Sequence, residues 1–180
     1  MLILGIDPGT AAIGYGMLEI GKCLVNHNYN VLAFGCLKTS PKDSTAARLN
    51  DLHKQLSQLI KRYRPDAVAV EELFFFKNLK TAIKVSQARG VILLAAQQAN
   101  LAIYEYTPLQ VKQAITGYGL AQKQQVQQMV KTILGLKETP KPDDAADALA
   151  IAICCAHSSG LESKIADRKA LHLDSRYFIK

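Results

Sequence analysis

Residues Leu2–Gly9 read LILGIDPG, and the reading of this stretch decides the rest. Leu2, Ile3, Leu4 and Ile6 make a short apolar run without alternation, the pattern of a strand covered on both faces. The run stops at Asp7, and Pro8-Gly9 turns the chain at once. A carboxylate at the end of a buried strand is costly unless something positive sits against it. Whatever that is, other parts of the chain must help to hold it.

Working outward, Ile13–Ile20 alternates as a second strand, in which Gly14 and Gly16 either weaken pairing or permit close backbone approach. Asn28 and Asn30 mark a turn before a third strand over Val31–Leu37, which predicts an antiparallel meander. Ser40-Pro41 breaks this pattern. A helix is expected from Ser44 or Thr45, with Leu49, Leu52, Leu56, Leu59, Ile60 and Tyr63 at helical spacing, until Pro65-Asp66 stops it. Ala67–Val70 is a fourth strand ending in Glu71-Glu72, and a right-handed crossover makes it parallel to the strand before the helix. Leu73–Asn78 reads as a loop and Leu79–Gln98 as a helix mildly interrupted at Gly90. Leu101–Tyr106 is a fifth strand, and Pro108 opens a short helix through Ile115. Gly117-Tyr118-Gly119 is a link. Helices over Ala121–Leu134 and Asp144–His157 follow, separated by Pro140-Lys141-Pro142. The expected fold class is α/β: a five-stranded mixed sheet, three antiparallel then two parallel strands, flanked by helices. One domain, residues 1–158, is followed by a basic C-terminal tail, residues 159–180, to which no role is assigned.

The whole-chain properties fit a single folded domain with a sizeable core. The formal net charge is +7, from 22 Lys and Arg against 15 Asp and Glu, which points to a polyanionic partner, nucleic acid before membrane. No run approaches the ~18 apolar residues of a membrane-spanning helix, and no basic segment precedes an apolar one at the start. Cys23, Cys36, Cys154 and Cys155 contain no C-x-x-C pair. They read as reduced core residues of a cytoplasmic protein rather than zinc ligands or disulfides.

Asp7 ends the first strand and Glu71 the fourth. Parallel neighbours would bring both carboxylates out at one end of the sheet, where open α/β sheets place ligands. The last helix carries Asp144 and Asp147, which share a face at i and i+3, in a segment that is apolar on every side. Asp147 has no cation at helical spacing, so these acids call for a metal or a distant Arg or Lys. Taken singly, Asp144 could cap its helix, Asp7 could belong to an ordinary turn, and Glu71 could be a solvated strand end. Together, four carboxylates would repel and take up protons unless cations cancel their charge. Oxygen-only ligation suits Mg²⁺ or Mn²⁺, and two such ions ~3.5–4 Å apart form the usual clamp for phosphodiester hydrolysis. Glu71 continues the apolar run directly and is preferred to Glu72, which faces the other way. Asp143 with Asp147, at i and i+4, is an open alternative on the helix.

The chain resembles the RuvC-type Holliday junction resolvases, of ribonuclease H-like fold. The matching segments are GIDPGT at the start, GYG at 14–16, VEELFFFKN at 70–78, QARG at 87–90, QVKQAITGYG at 110–119 and DDAADALAIA at 143–152. Order and spacing agree from Leu2 to about His157. The resemblance implies that Asp7, Glu71, Asp144 and Asp147 are metal-binding catalytic acids, with D-x-x-D selecting Asp144. It implies Lys112 and Lys123 beside the reacting phosphate and Phe74 stacked on a base of the opened junction. Lys77, Lys80, Lys84 and Arg89 would track the phosphate backbone. It further implies a Mg²⁺-dependent endonuclease (Mn²⁺ substituting) that resolves four-way junctions by paired symmetric nicks in DNA recombination and repair. The family acts as a homodimer and partners a RuvA–RuvB-type branch-migration complex. Asp143, Ala11-Ala12 and the tail depart from the family pattern. Two rival readings are a non-catalytic nucleic-acid-binding relative and one lobe of an actin-like ATPase or sugar kinase, whose phosphate loop also reads Asp-x-Gly-Thr.

Overall fold

Leu2–Asp7 forms β1, the central strand of a five-stranded sheet, in the computed structural model. The structure describes residues 1–9, 12–21, 29–72 and 79–158, with the backbone alone for Leu79 and Lys80. β2 (Ala12–Ile20) and β3 (Tyr29–Lys38) continue the sheet antiparallel on one side of β1. β4 (Ala67–Glu71) and β5 (Ala102–Tyr106) continue it parallel on the other, giving the order β3-β2-β1-β4-β5. This is the three-antiparallel, two-parallel sheet that the pattern of turns and crossovers predicts.

The alternation of β1 and β4 feeds two separate cores. Leu4, Ile6, Val68 and Val70 pack with Leu52, Leu56 and Ile60 of α1 (Thr45–Tyr63) and Ile92 of α2 (Leu79–Gln98). Ile3, Ala67 and Ala69 face the opposite side. There they meet α5 (Asp143–Ala156), in which Ala145, Ala146 and every residue from Ala148 to Cys155 are buried. A helix apolar on all sides needs cover on all sides. The sheet supplies one flank. Val111 and Ile115 of α3 (Pro108–Thr116) and Val126 and Val130 of α4 (Lys123–Ile133) join the same core.

Local chemistry sets the helix ends. The Ser44 hydroxyl accepts a hydrogen bond from the Ala47 amide, fixing the start of α1, and Arg64 ends it in a left-handed conformation at φ 51°. Thr107 and Gln110 form a capping box at α3, with Pro108 in the first turn. Helix α4 starts at Lys123, two residues later than its apolar pattern predicts. The Ala121 amide instead closes a turn onto the Tyr118 carbonyl, and the Gln122 amide is taken by Gln125 Oε1 at 2.8 Å. Gly90 does not interrupt α2. The 73–78 loop, Cys23, the Asn28 turn and the tail from residue 159 lie outside the described residues.

Candidate active site

Strand register builds one edge of the site. Cys36 of β3 is opposite Gly14 of β2, and Gly14 is opposite Asp7 of β1, so the three share a face. On β4, Val70 is level with Ile6. Glu71 therefore follows one residue later, level with Asp7, on the same face and at the same end of the sheet. Glu72 takes the opposite parity, and its amide donates to the Tyr106 carbonyl at 2.8 Å.

The other edge is α5, and glycine brings it close. A Cβ on Gly5 would come within 3.0 Å of the Ala148 carbonyl oxygen, and one on Gly14 within 3.0 Å of the Asp144 carbonyl. A Cβ on Gly16 would meet Leu149 Cδ2 at 2.7 Å. Gly5 and Gly16 are opposite one another in the β1–β2 pair. The helix backbone therefore rests against strand backbone, without side chains between them. The first two turns of α5 are thereby pressed over the end of β1. Asp7, Asp144 and Asp147 each present a carboxylate oxygen within 4.8 Å of the others.

Glu71 is outside that tight triad but lines the same cavity of about 270 Å³, with Asp7, Asp147, Lys112, Lys123 and Pro108. Asp143 turns outward and is two-thirds exposed. Lys123, at the start of α4, pairs with Asp147 at 2.8 Å and approaches Asp143 at 3.8 Å. The distant cation that Asp147 called for is thus Lys123. Their separation of 24 positions kept this pair out of any helical-spacing search.

The electrostatics show how crowded the acids are. Burial raises Asp7 to about 7, and the charges of Glu71, Asp147 and Asp144 add to the shift against the pull of Lys123. Burial also raises Glu71 to about 7, with Asp147 adding and Lys112 and Lys123 opposing. Burial raises Asp147, against its hydrogen bond from Lys123. Burial works to lower Lys123, but the Asp147 hydrogen bond and charge outweigh it and hold the ammonium protonated. All donors in the triad are carboxylate oxygens, a set that fits a hard divalent cation.

One sequence expectation changes. Cys36 is a half-buried thiol at the site rather than a core residue, and its Sγ donates to Asp144 Oδ2 at 3.8 Å. The register of β3 with β2 carries it there. Arg89, expected along the phosphate backbone, lies on α2. It is ion-paired with Glu105 of β5, and its side chain is 20% exposed. Lys84 is exposed on α2. Phe74, Lys77 and the Lys80 side chain lie outside the described residues.

Known proteins share this arrangement of strands and helix. A family model described as crossover junction endodeoxyribonuclease RuvC matches residues 3–155. The crossover junction endodeoxyribonuclease RuvC of Heliobacterium modesticaldum is 58% identical over 158 residues, covering 88% of this chain and 95% of its own length. That of Desulforamulus reducens is 55% identical, with the same coverages. The solved Thermus thermophilus RuvC structure superposes with a TM-score of 0.80 at 40% identity, covering 92% of this chain and 97% of the other. The same protein in complex with Holliday junction substrate superposes at 0.78 and 38% identity, covering 92% and 96%. A match of this extent, over the strands and the helix that carry the acids, makes the chain a member of the RuvC family of crossover junction endodeoxyribonucleases.

Proposed function

We propose that this protein is a structure-selective endonuclease that resolves Holliday junctions by paired symmetric nicks in homologous recombination and repair. One observation carries the reading: strand-borne and helix-borne carboxylates converge on a single cavity beside two lysines in a chain of net charge +7. Asp7, Glu71, Asp144 and Asp147 hold Mg²⁺, two ions per site, with Mn²⁺ as a substitute. Metal held by these acids would supply neutralisation of the phosphate and leaving-oxygen charge and a lowered pKa for the attacking water.

The chain's own groups do the rest. Asp7 and Glu71, raised to about 7, give up their protons as the cations bind. Asp147 keeps Lys123 charged and oriented, so its Nζ meets the negative charge that grows on the phosphate oxygens. Lys112 lines the same cavity, and its charge works to lower Glu71. Water oxygen bonds to phosphorus and gives up a proton to solvent as the bond to one sugar oxygen breaks and that oxygen takes up a proton, leaving a phosphate end and a hydroxyl end at one nick per site. Phe74 stacks on an unpaired base, and Lys77, Lys80 and Lys84 follow the backbone. Arg89 makes a contact of the same kind, exchanging its pair with Glu105 for phosphate.

Symmetric nicks need two sites, and the protein acts as a homodimer. The described part of α2 offers a surface for this. Ile83 and Leu94 are 52% and 53% exposed on one helical face, and between them Gly90 has open space where a Cβ would be. The double change Ile83→Glu with Leu94→Glu is expected to give a monomer by sedimentation equilibrium that binds but does not nick opposite strands together.

The domain is residues 1–158, with a basic tail at 159–180. The expected location is the cytoplasm, beside a RuvA–RuvB-type motor; among the described residues no helix is long and apolar enough to cross a membrane. The rival readings are not favoured. A non-catalytic relative has no need of clustered acids, and the family match spans residues 3–155 as one unit rather than one ATPase lobe. The test is incubation of a labelled four-way junction with Mg²⁺. Symmetric nicks that vanish in Asp7→Asn while binding persists are expected; binding without nicks in the unaltered protein would overturn the assignment.

A further inference from the structure

A second cavity of about 230 Å³ opens on the opposite face of the sheet, at the same end. Its floor is Ile13, Leu49, Leu52 and Ala88, which belong to the α1–α2 side of the sheet. Its walls carry Thr39, Thr45, Arg48, Lys84 and Gln87, with Asp43 at the rim. Gly9 closes the edge nearest the acids. Gly9 is two residues beyond Asp7, so the Cα atoms of the two are at most ~7 Å apart. The acidic cavity and this one therefore share the turn that ends β1, one on each side of it.

We infer that this cleft, built by Arg48, Lys84 and Thr39, is a phosphodiester subsite for the DNA strand whose scissile phosphate sits over Asp7. This rests on the nuclease reading above and adds where the strand goes next. Three observations carry it. Arg48 Nε donates to Thr39 Oγ1 at 3.0 Å, which fixes the guanidinium plane at the cleft instead of leaving a long side chain to roam. Lys84 of α2 lines the same cavity, is exposed, and forms no ion pair among the described residues. The remaining polar lining is neutral donors, Thr45 and Gln87, that suit phosphate oxygens, and Asp43 is exposed at the rim. A strand leaving the acids across the Pro8-Gly9 turn passes these groups within one or two nucleotides. Contacts there hold register and polarity without reading sequence.

The experiment measures junction affinity across a salt series, with Ca²⁺ in place of Mg²⁺, for the full chain and for Lys84→Ala, Arg48→Ala and the double variant. Each lost phosphate contact is expected to weaken binding by roughly three- to tenfold and to flatten the log–log salt slope by about 0.7–0.9. Lys61→Ala is the control: it sits 13 residues along α1 from Arg48, about 20 Å away. Lys84→Glu, at an exposed position, tests the charge without risk to the fold. Parent-like slopes in Lys84→Ala and Lys84→Glu would overturn the subsite, as would an equal loss in Lys61→Ala. Millimolar inorganic phosphate at constant ionic strength should not compete; competition that disappears in the double variant would mean a free-anion site and also overturn it. If the parent itself neither binds nor nicks a junction, the nuclease reading fails instead.

Discussion

Asp7→Asn is expected to make the metal-free protein more stable at neutral and alkaline pH while removing its response to Mg²⁺. The magnitude follows from one carboxyl. Asp7 is raised from 3.8 to about 7, chiefly by burial and then by its acidic neighbours. That rise corresponds to on the order of 4 kcal/mol. Below pH ~4 both the folded and unfolded chains hold this proton, and nothing is lost. Between about 4 and 7 the unfolded chain ionises while the folded one still holds its proton, so stability falls as pH rises. Above 7 both are ionised and the folded chain carries the full penalty. Asparagine keeps the shape and removes the charge. Urea unfolding followed by far-UV circular dichroism in chelator, at fixed protein concentration, should therefore show the variant gaining roughly 2–4 kcal/mol at pH 8 and under about 1 kcal/mol at pH 4.5. On the proposed metal assignment, Mg²⁺ that binds only the folded parent should raise the parent's stability at pH 8 and leave the variant nearly unmoved. Equal stabilities at both pH values, or an equal Mg²⁺ gain in both proteins, would refute the reasoning. The first outcome would mean that Asp7 is not crowded, and the second that it holds no metal.

Three further changes separate the parts of the site. Lys123→Ala removes a partly exposed pair with Asp147, so unfolding free energy should move by under about 1 kcal/mol, whereas single-turnover cleavage should fall about 10²–10³-fold. Gly14→Ala places a methyl group against the Asp144 carbonyl and should cost roughly 3 kcal/mol or more in urea unfolding, together with the Mg²⁺-induced stabilisation, because α5 must lift from the sheet. Arg89→Gln breaks the link between α2 and Glu105, and is expected to lower stability by about 1 kcal/mol and to flatten the salt slope of junction binding; an unchanged slope would remove Arg89 from the DNA surface.

The sequence alone determined the sheet. Its signals are local: an unbroken apolar run in LILGI, alternation in β2, a helical stripe from Leu49 to Tyr63, and proline or glycine at the breaks. It also determined which carboxylates are candidates, since strand ends and an acid pair on an all-apolar helix are visible in one dimension. The start of α4 slipped because side-chain capping and a turn decided it, at Gln122. Tertiary structure alone decided the partners. Lys123 and Asp147 are 24 positions apart, Cys36 and Asp144 are 108 apart, and Arg89 meets Glu105 across a helix and a strand. No periodicity relates such residues, because register and helix placement bring them together. The LILGIDPG stretch supplies one acid and two glycines; what makes Asp7 part of a site is that Gly5, Gly14 and Gly16 have no side chains to hold α5 away. Short-range sterics set the elements, and close packing between them sets the chemistry.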